Sequence, residues 1–305
     1  MQLTRLKRSS DIALGITGIA PIWKVSLGGA AELIGTGFWV SEKGHLITAR
    51  HVIEENIGPD GIDVGPIYAM QALADGTAIP RVLIKTDMHK TFDLALSETR
   101  GADAIPTWSF PMTLDEPRLG DPVLTYAFVP ITKTFDEDDP GFSTHRFEGI
   151  LRIPELAITY DFSFATSATQ GTVSAIFETA RDQVMLPFPC FQSTIPIYGA
   201  NSGGPVFDQY GRVCGINCSS YEGQDISFHV PLRGILTLRA RDIEIVPEDP
   251  FPRTRFIIEL GMAGRLPFDP PFWFASRVIL RIQYLLRRLG LLGHSLLLLG
   301  PHALD

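Results

Sequence analysis

Gly199-Ala200-Asn201-Ser202-Gly203-Gly204-Pro205 is the stretch on which the reading turns. It lies between two strand-like runs, "CFQST" before it and "PVFD" after it. Small residues on both sides of Ser202 let the chain turn sharply and let a substrate carbonyl approach the amides of Ala200 and Ser202. A serine hydroxyl is a poor nucleophile until a base removes its proton and backbone donors stabilise the developing oxyanion. A glycine-rich hairpin with an incidental serine has the same composition, so Ser202 needs partners elsewhere in the chain.

Two segments supply them. "LITARHVI" (46–53) places His51 at the end of an apolar strand, and "FDLAL" (92–96) embeds Asp93 just before another. A buried carboxylate is costly unless it is paired, and an imidazole N–H is a suitable partner. The order His…Asp…Ser separates this chain from α/β-hydrolases, which run Ser…Asp/Glu…His, and from subtilisin-like enzymes, which run Asp…His…Ser. Ala200 also breaks the G-x-S-x-G elbow of the hydrolases, and a strand-like run follows the serine where that elbow needs a helix.

Around these segments the chain reads as short strands. "PIWKVSL", "GTGFWVS", "HLITARHV", "RVLIK", "DLALSE" and "PVLTYAFV" form one set; "GTVSAIF", "CFQST", "GGPVFD", "GRVCGIN" and "ISFHV" form a second. Turn tokens such as "SEKG" and "LADG" fall between them. Two sets of about six strands predict a mainly β chain of two six-stranded antiparallel barrels, about 19–130 and about 160–245. Residues 132–161, with "FDEDDPGF", read as an acidic surface loop between them or as a lid over the site.

With these motifs in place, "GTGFWVSEKGHLITARHV", "FDLAL" and "GANSGGPVFDQYGRVCGIN" resemble the trypsin-like serine proteases of the chymotrypsin superfamily, most nearly the bacterial Deg/HtrA branch. The resemblance covers about residues 19–240. It implies a chymotrypsin-like double barrel, a triad of His51, Asp93 and Ser202 in the cleft between barrels, and an oxyanion hole from the amides of Ala200 and Ser202. It implies protein or peptide substrates cleaved through an acyl-enzyme, with no metal and no organic cofactor. Three positions depart from the pattern. Ala200 stands where glycine is usual, Arg50 where a small or polar residue is usual, and Asn201 where the digestive enzymes carry aspartate. Asn201 cannot capture a freed N-terminal amine, so activation by cleavage at the amino end is not expected.

The resemblance also places the specificity pocket. Pro196 and Ile197 fall at its base, with walls from Cys218, Ser219 and Ser220 and from Ser227 and His229. Neither base residue is charged, which disfavours Lys or Arg beside the scissile bond and favours a small or medium apolar residue. His229 offers an alternative, recognition of an acidic or amide side chain.

Composition bounds the rest. The chain has 305 residues and a net charge of −8, which argues against nucleic acid as a general partner. Apolar residues make up 45%, and 28 glycines with 23 prolines suit many short strands better than a helical bundle. The three cysteines, Cys190, Cys214 and Cys218, match no zinc spacing and read as buried, reduced thiols of a cytoplasmic protein. The basic, then apolar, start of the chain resembles a signal peptide, but Asp11, Pro21 and a first strand near Ile19 argue against cleavage there.

Residues 1–245 are expected to be the protease domain and 246–305 a Pro-rich linker with a basic amphipathic helix. In that helix Val278, Ile282, Leu285 and Leu289 recur at helical spacing, interleaved with Arg277, Arg281, Arg287 and Arg288. It reads as a helix packed on the barrel, as a regulatory or partner-binding element, or as a membrane-surface helix. The stretch after residue 245 is too short for a PDZ-like module. A catalytically weak binding module on the same scaffold is the alternative to an active endopeptidase.

Overall fold

The computed structural model describes residues 16–25, 31–57, 65–72, 78–101, 107–130, 143–153, 158–221, 225–241, 254–256 and 266–269. The basic amphipathic helix expected within 246–305, with its pattern from Arg277 to Leu289, lies outside them.

The first barrel takes six strands: β1 (Ile19–Val25), β2 (Ala31–Trp39), β3 (His45–Thr48), β4 (Ile67–Ala72), β5 (Ala78–Met88) and β6 (Ala95–Arg100). They close in the order β1-β2-β3-β6-β5-β4, every pairing antiparallel. A short helix, α1 (Arg50–Glu54), follows β3 directly. Closure removes the exposed edges that short strands otherwise offer to aggregation. Large side chains with no exposure to solvent pack on both faces of the barrel wall, among them Ile22, Phe38, Trp39, Leu46, Ile47 and Leu94.

The second barrel comprises β7 (Pro122–Pro130), β9 (Ile158–Phe177), β10 (Cys190–Ser193), β11 (Pro205–Phe207), β12 (Val213–Ser220) and β13 (Ser227–Pro231). The order β10-β13-β12-β11-β7-β9 closes because the end of β9 pairs with β10. β8 (Ser143–Ile153) is a seventh strand, paired antiparallel with the first half of β9 outside the ring.

Three expectations need correction. "PVLTYAFV" is the first strand of the second barrel, not the sixth of the first, so that barrel starts near 122 rather than 160. The strand missed was β4, "IYAMQA", whose first five residues are all buried and therefore lack the alternation that marks a half-exposed strand. The 132–161 segment is not wholly a loop, since residues 143–153 and 158 onward pair as a long hairpin. Nor does the chain leave the domain at 245. β14 (Arg239–Arg241) pairs with β15 (Thr254–Phe256), and the Met112 amide donates to Pro267 O at 2.7 Å. Leu266 and Phe268 are buried in the main core.

The barrels meet at the Ser202 stretch. The Thr36 amide of β2 donates to Ser202 O at 2.9 Å. Gly35 must be glycine for this approach, because a Cβ there would sit 2.7 Å from Val52 and 3.1 Å from Ser202 O. Among the described residues, no helix is long and apolar enough to cross a membrane.

Candidate active site

His51 sits in the first turn of α1, just after β3, and Asp93 ends the loop before β6. The Asp93 carboxylate uses both oxygens on this helix turn. Oδ1 accepts the His51 amide at 2.9 Å and Oδ2 accepts ring Nδ1–H at 2.7 Å. With the proton on Nδ1, Nε2 is left as the acceptor. Burial disfavours the imidazolium, but the hydrogen bond and charge of Asp93, with smaller contributions from Glu55 and Glu54, outweigh it and raise the His51 pKa above its usual 6.5. Burial likewise disfavours the Asp93 carboxylate. The ring hydrogen bond and charge of His51, the Cys218 thiol and the His51 amide together lower its pKa below 3.8.

Arg50, the unusual neighbour of the histidine, turns back onto the loop that carries the acid. Its guanidinium donates to His89 O at 3.0 Å and Lys90 O at 3.3 Å and pairs with Glu54 at 2.8 Å. It therefore braces the segment leading to Asp93.

Cys218 joins acid and serine. β12 and β13 slip register between Asn217 and Ser219, so Cys218 is the extra residue of a bulge with no partner on β13. Freed from the ladder, its thiol donates to Asp93 Oδ2 at 3.1 Å and its carbonyl accepts the Ser202 hydroxyl at 3.3 Å. Ser202 Oγ makes no hydrogen bond to His51 here. The donor atoms of His51, Asp93 and Cys218 lie within 4.8 Å of one another, close enough to hold a metal ion. Nδ1, Oδ2 and Sγ are already committed to mutual hydrogen bonds, and burial with the Asp93 charge pushes the thiol well above its usual range. The cluster therefore suits proton handling better than metal binding.

The serine loop is pinned residue by residue. The Asn201 amide donates to Tyr198 O, Gly203 N to Asn217 O and Gly204 N to Asn201 O. The Asn201 side chain, fully buried, accepts the Tyr198 amide at 2.8 Å and donates to Phe128 O at 3.0 Å. Gly203 has φ +83°, and a Cβ there would meet Thr48 Oγ1 at 2.1 Å, so no other residue fits. Among the described residues, the amides of Ala200 and Ser202 alone in the stretch 200–204 donate to no protein acceptor. Two unpaired N–H groups flanking a hydroxyl are what an oxyanion hole requires.

The expected pocket residues separate into two groups. Pro196, Ile197, Ser219 and Ser220 are half-buried at the surface of the second barrel. Ser220 Oγ donates to Ile197 O at 3.3 Å and Thr169 Oγ1 to Pro196 O at 3.1 Å. Ser227 and His229 have no exposure, because all five residues of β13 are buried. Ser227 Oγ donates to Ile195 O, and His229 Nε2 pairs with Ser193 Oγ at 2.6 Å beside the Phe191 ring. Burial holds His229 neutral, its pKa pushed down to about 3, so recognition of an acidic side chain by a charged His229 does not hold.

A feature not anticipated from the sequence adjoins His51. A cleft of about 390 Å³ is lined by His51, Phe92 and Asp93 together with Val184, Met185 and Cys218. Val184 and Met185 are 83% and 71% exposed. Asp182 Oδ1 accepts the amides of Val184, Met185 and Leu186, which fixes this apolar turn.

Two antiparallel barrels, a histidine held by a carboxylate and a serine between unpaired amides define the class of chymotrypsin-like hydrolases. The chain belongs to the trypsin-like peptidase domain family, whose model matches residues 35–216. Two bacterial proteins named "Probable periplasmic serine endoprotease DegP-like" are similar to it. That of Pseudomonas fluorescens is 29% identical over 208 residues, 66% of this chain and 33% of that protein. That of Halomonas elongata is 30% identical over 205 residues, 65% and 33% respectively. The chain thus spans about a third of the length of these relatives. Among solved structures, the serine endoprotease from Yersinia pestis aligns over 73% of this chain and 62% of that one, at 23% identity and a TM-score of 0.46. Deg5 aligns over 73% and 89%, at 17% identity and a TM-score of 0.49.

The relatives' names overturn the cytoplasmic expectation. The cysteines that motivated it say nothing about compartment. All three are free and buried, and burial pushes the Cys190 thiol up to about 11. A protonated, inaccessible thiol is inert in an oxidising compartment as well.

Proposed function

We propose that this protein is a serine endopeptidase in which Ser202 attacks the scissile carbonyl, His51 accepts its proton and Asp93 holds the imidazole. The observation that carries the reading is the two-point grip of Asp93 on His51, amide at 2.9 Å and ring Nδ1 at 2.7 Å, which leaves Nε2 as the free base. Catalytic hydrogen bonds are commonly long or absent in the unliganded enzyme. For proton transfer the Ser202 side chain rotates off Cys218 O and turns its hydroxyl toward Nε2 in the substrate complex. As the proton moves to His51, the serine oxygen bonds to the carbonyl carbon and the carbonyl electron pair moves onto the oxygen facing the amides of Ala200 and Ser202. His51 then gives the proton to the leaving amine, and water repeats the sequence to release the acyl group.

The substrates are proteins or peptides, and the apolar turn at Val184 and Met185 favours an apolar side chain near the cleaved bond. The compartment in the relatives' names, the periplasm, is extended to this protein on similarity alone. Regulation by the segment beyond residue 269, or by a partner bound to it, is separable by deleting residues 270–305. Incubation of the purified protein with a peptide library, read by mass spectrometry, tests the central reading. Discrete cleavage sites that vanish in Ser202→Ala support it; cleavage that persists in Ser202→Ala rules it out.

One observation favours a second reading. The Ser202 hydroxyl rests on Cys218 O and not on the imidazole. A scaffold that stays in this state would bind peptides without turning them over. It would retain library peptides on the immobilised protein and produce none of their fragments.

A further inference from the structure

Ala200 has φ +65°, the sole non-glycine residue with positive φ among the described residues. An L-residue enters this region only against a steric penalty, so something must hold it there. The contact is the hydroxyl of Thr36, which donates to Ala200 O at 2.8 Å. Its direction is fixed. The Phe128 amide, which can only donate, also meets Thr36 Oγ1, at 2.9 Å. A hydroxyl has a single proton, and here that proton goes to Ala200. The same residue binds Ser202 O through its own amide at 2.9 Å and accepts Thr48 Oγ1 on its carbonyl at 2.8 Å. Thr36 is fully buried.

The geometry fixes one peptide plane at both ends. Its carbonyl, Ala200 O, is held by Thr36, and its N–H, that of Asn201, is held by Tyr198 O at 3.0 Å. With this plane fixed, the two torsions of Ala200, φ and ψ, set where the Ala200 N–H points, and its positive φ is the strained one. That N–H is one of the two unpaired amides beside Ser202.

We propose that the Thr36 hydroxyl is the positioning residue of the oxyanion hole, holding Ala200 left-handed so that its amide faces the reacting carbonyl. The inference rests on the endopeptidase reading above and adds a residue outside the triad. Without the hydroxyl, Ala200 relaxes toward negative φ and its amide turns away. Loss of one oxyanion donor costs about 10²–10³ in kcat, so partial relaxation lowers kcat by roughly 10- to 100-fold.

The test compares Thr36→Val and Thr36→Ser, each with Ala200 and with Ala200→Gly, in kcat, KM and thermal unfolding. Thr36→Val should lower kcat by roughly 10- to 100-fold with KM changed less than about three-fold. Thr36→Ser, which keeps the donor, should stay within about three-fold of the native kcat. Glycine populates positive φ about as readily as negative, so in the Ala200→Gly background the kcat penalty of Thr36→Val should shrink to about three-fold or less. Its loss of thermal stability should persist in both backgrounds. A folded Thr36→Val protein with unchanged kcat overturns the proposal, as does a kcat penalty that is the same in the Ala200→Gly background.

If the native protein cleaves nothing, the endopeptidase reading fails while this one is still decided. The ¹³C shifts of Ala200 must move away from left-handed values in Thr36→Val and stay in Thr36→Ser. Unchanged shifts in Thr36→Val overturn it.

Discussion

The thiol of Cys218 donates to the same carboxylate oxygen of Asp93, Oδ2, that accepts the ring of His51, at 3.1 Å and 2.7 Å. A residue that sequence reading placed in a pocket wall is thus a third support of the acid. Cys218→Ala leaves Oδ2 short of one buried donor and should lower kcat/KM by about 10-fold, the order of one hydrogen bond to a charged group. Cys218→Ser restores a donor and should recover most of the loss. Steady-state kinetics of the two variants decide this.

The same burial makes the thiols chemically silent. Burial and the Asp93 charge raise the Cys218 pKa well above its usual range, and burial raises those of Cys214 and Cys190. Iodoacetamide at pH 8 should leave the native protein unmodified and label all three cysteines after unfolding in guanidinium chloride. Mass spectrometry reads the adducts.

The His51 pair predicts a pH response of definite sign. General-base action needs neutral imidazole, so kcat/KM should rise with pH through a midpoint above 6.5. For stability, the raised His51 pKa gives a contribution complete below about 6.5 and lost as pH rises through the folded value. The lowered Asp93 pKa gives one complete above about 3.8 and lost as pH falls through its folded value. Both are fully present only between those two ordinary values. In Asp93→Asn the two largest influences that raise the His51 pKa are removed, while burial and the smaller effects of Glu55 and Glu54 remain, so its NMR titration should move down from the native value.

Arg50 and Glu54 form a half-buried pair lining the cleft, and only one of them should matter. Glu54→Ala removes an i,i+4 ion pair worth at most about 0.5 kcal/mol. Arg50→Ala also removes two hydrogen bonds to the loop before Asp93 and should cost about 1–2 kcal/mol with a few-fold fall in kcat/KM. Urea unfolding and kinetics on both variants distinguish them.

Ala200→Gly relieves a left-handed alanine and should stabilise the fold by about 1 kcal/mol, net of the extra freedom glycine gains when unfolded. Gly203→Ala does the opposite at a closed site, since its Cβ would lie 2.1 Å from Thr48 Oγ1, and should not yield stable protein. Thermal unfolding measures the first and soluble expression the second.

The motifs around His51, Asp93 and Ser202 were legible because each is local: a few consecutive small or apolar residues fix the backbone around one polar group. Cys218 and Thr36 were not legible in those roles. The first depends on a bulge that breaks strand alternation, and the second on a contact between residues 164 apart in sequence. The double barrel was legible from strand style, but β4 was lost because a strand buried along its length has no period. The return of Leu266 and Phe268 to the core follows a proline-rich stretch, and composition alone does not show where such a stretch docks.

The identity of the nucleophile is the most direct test. Intact-mass spectrometry of the protein treated with a fluorophosphonate, followed by peptide mapping, should find one adduct, on Ser202, formed by wild type and abolished in both Ser202→Ala and His51→Ala. Correctly folded wild-type protein that gains no adduct, or gains it elsewhere, contradicts the account.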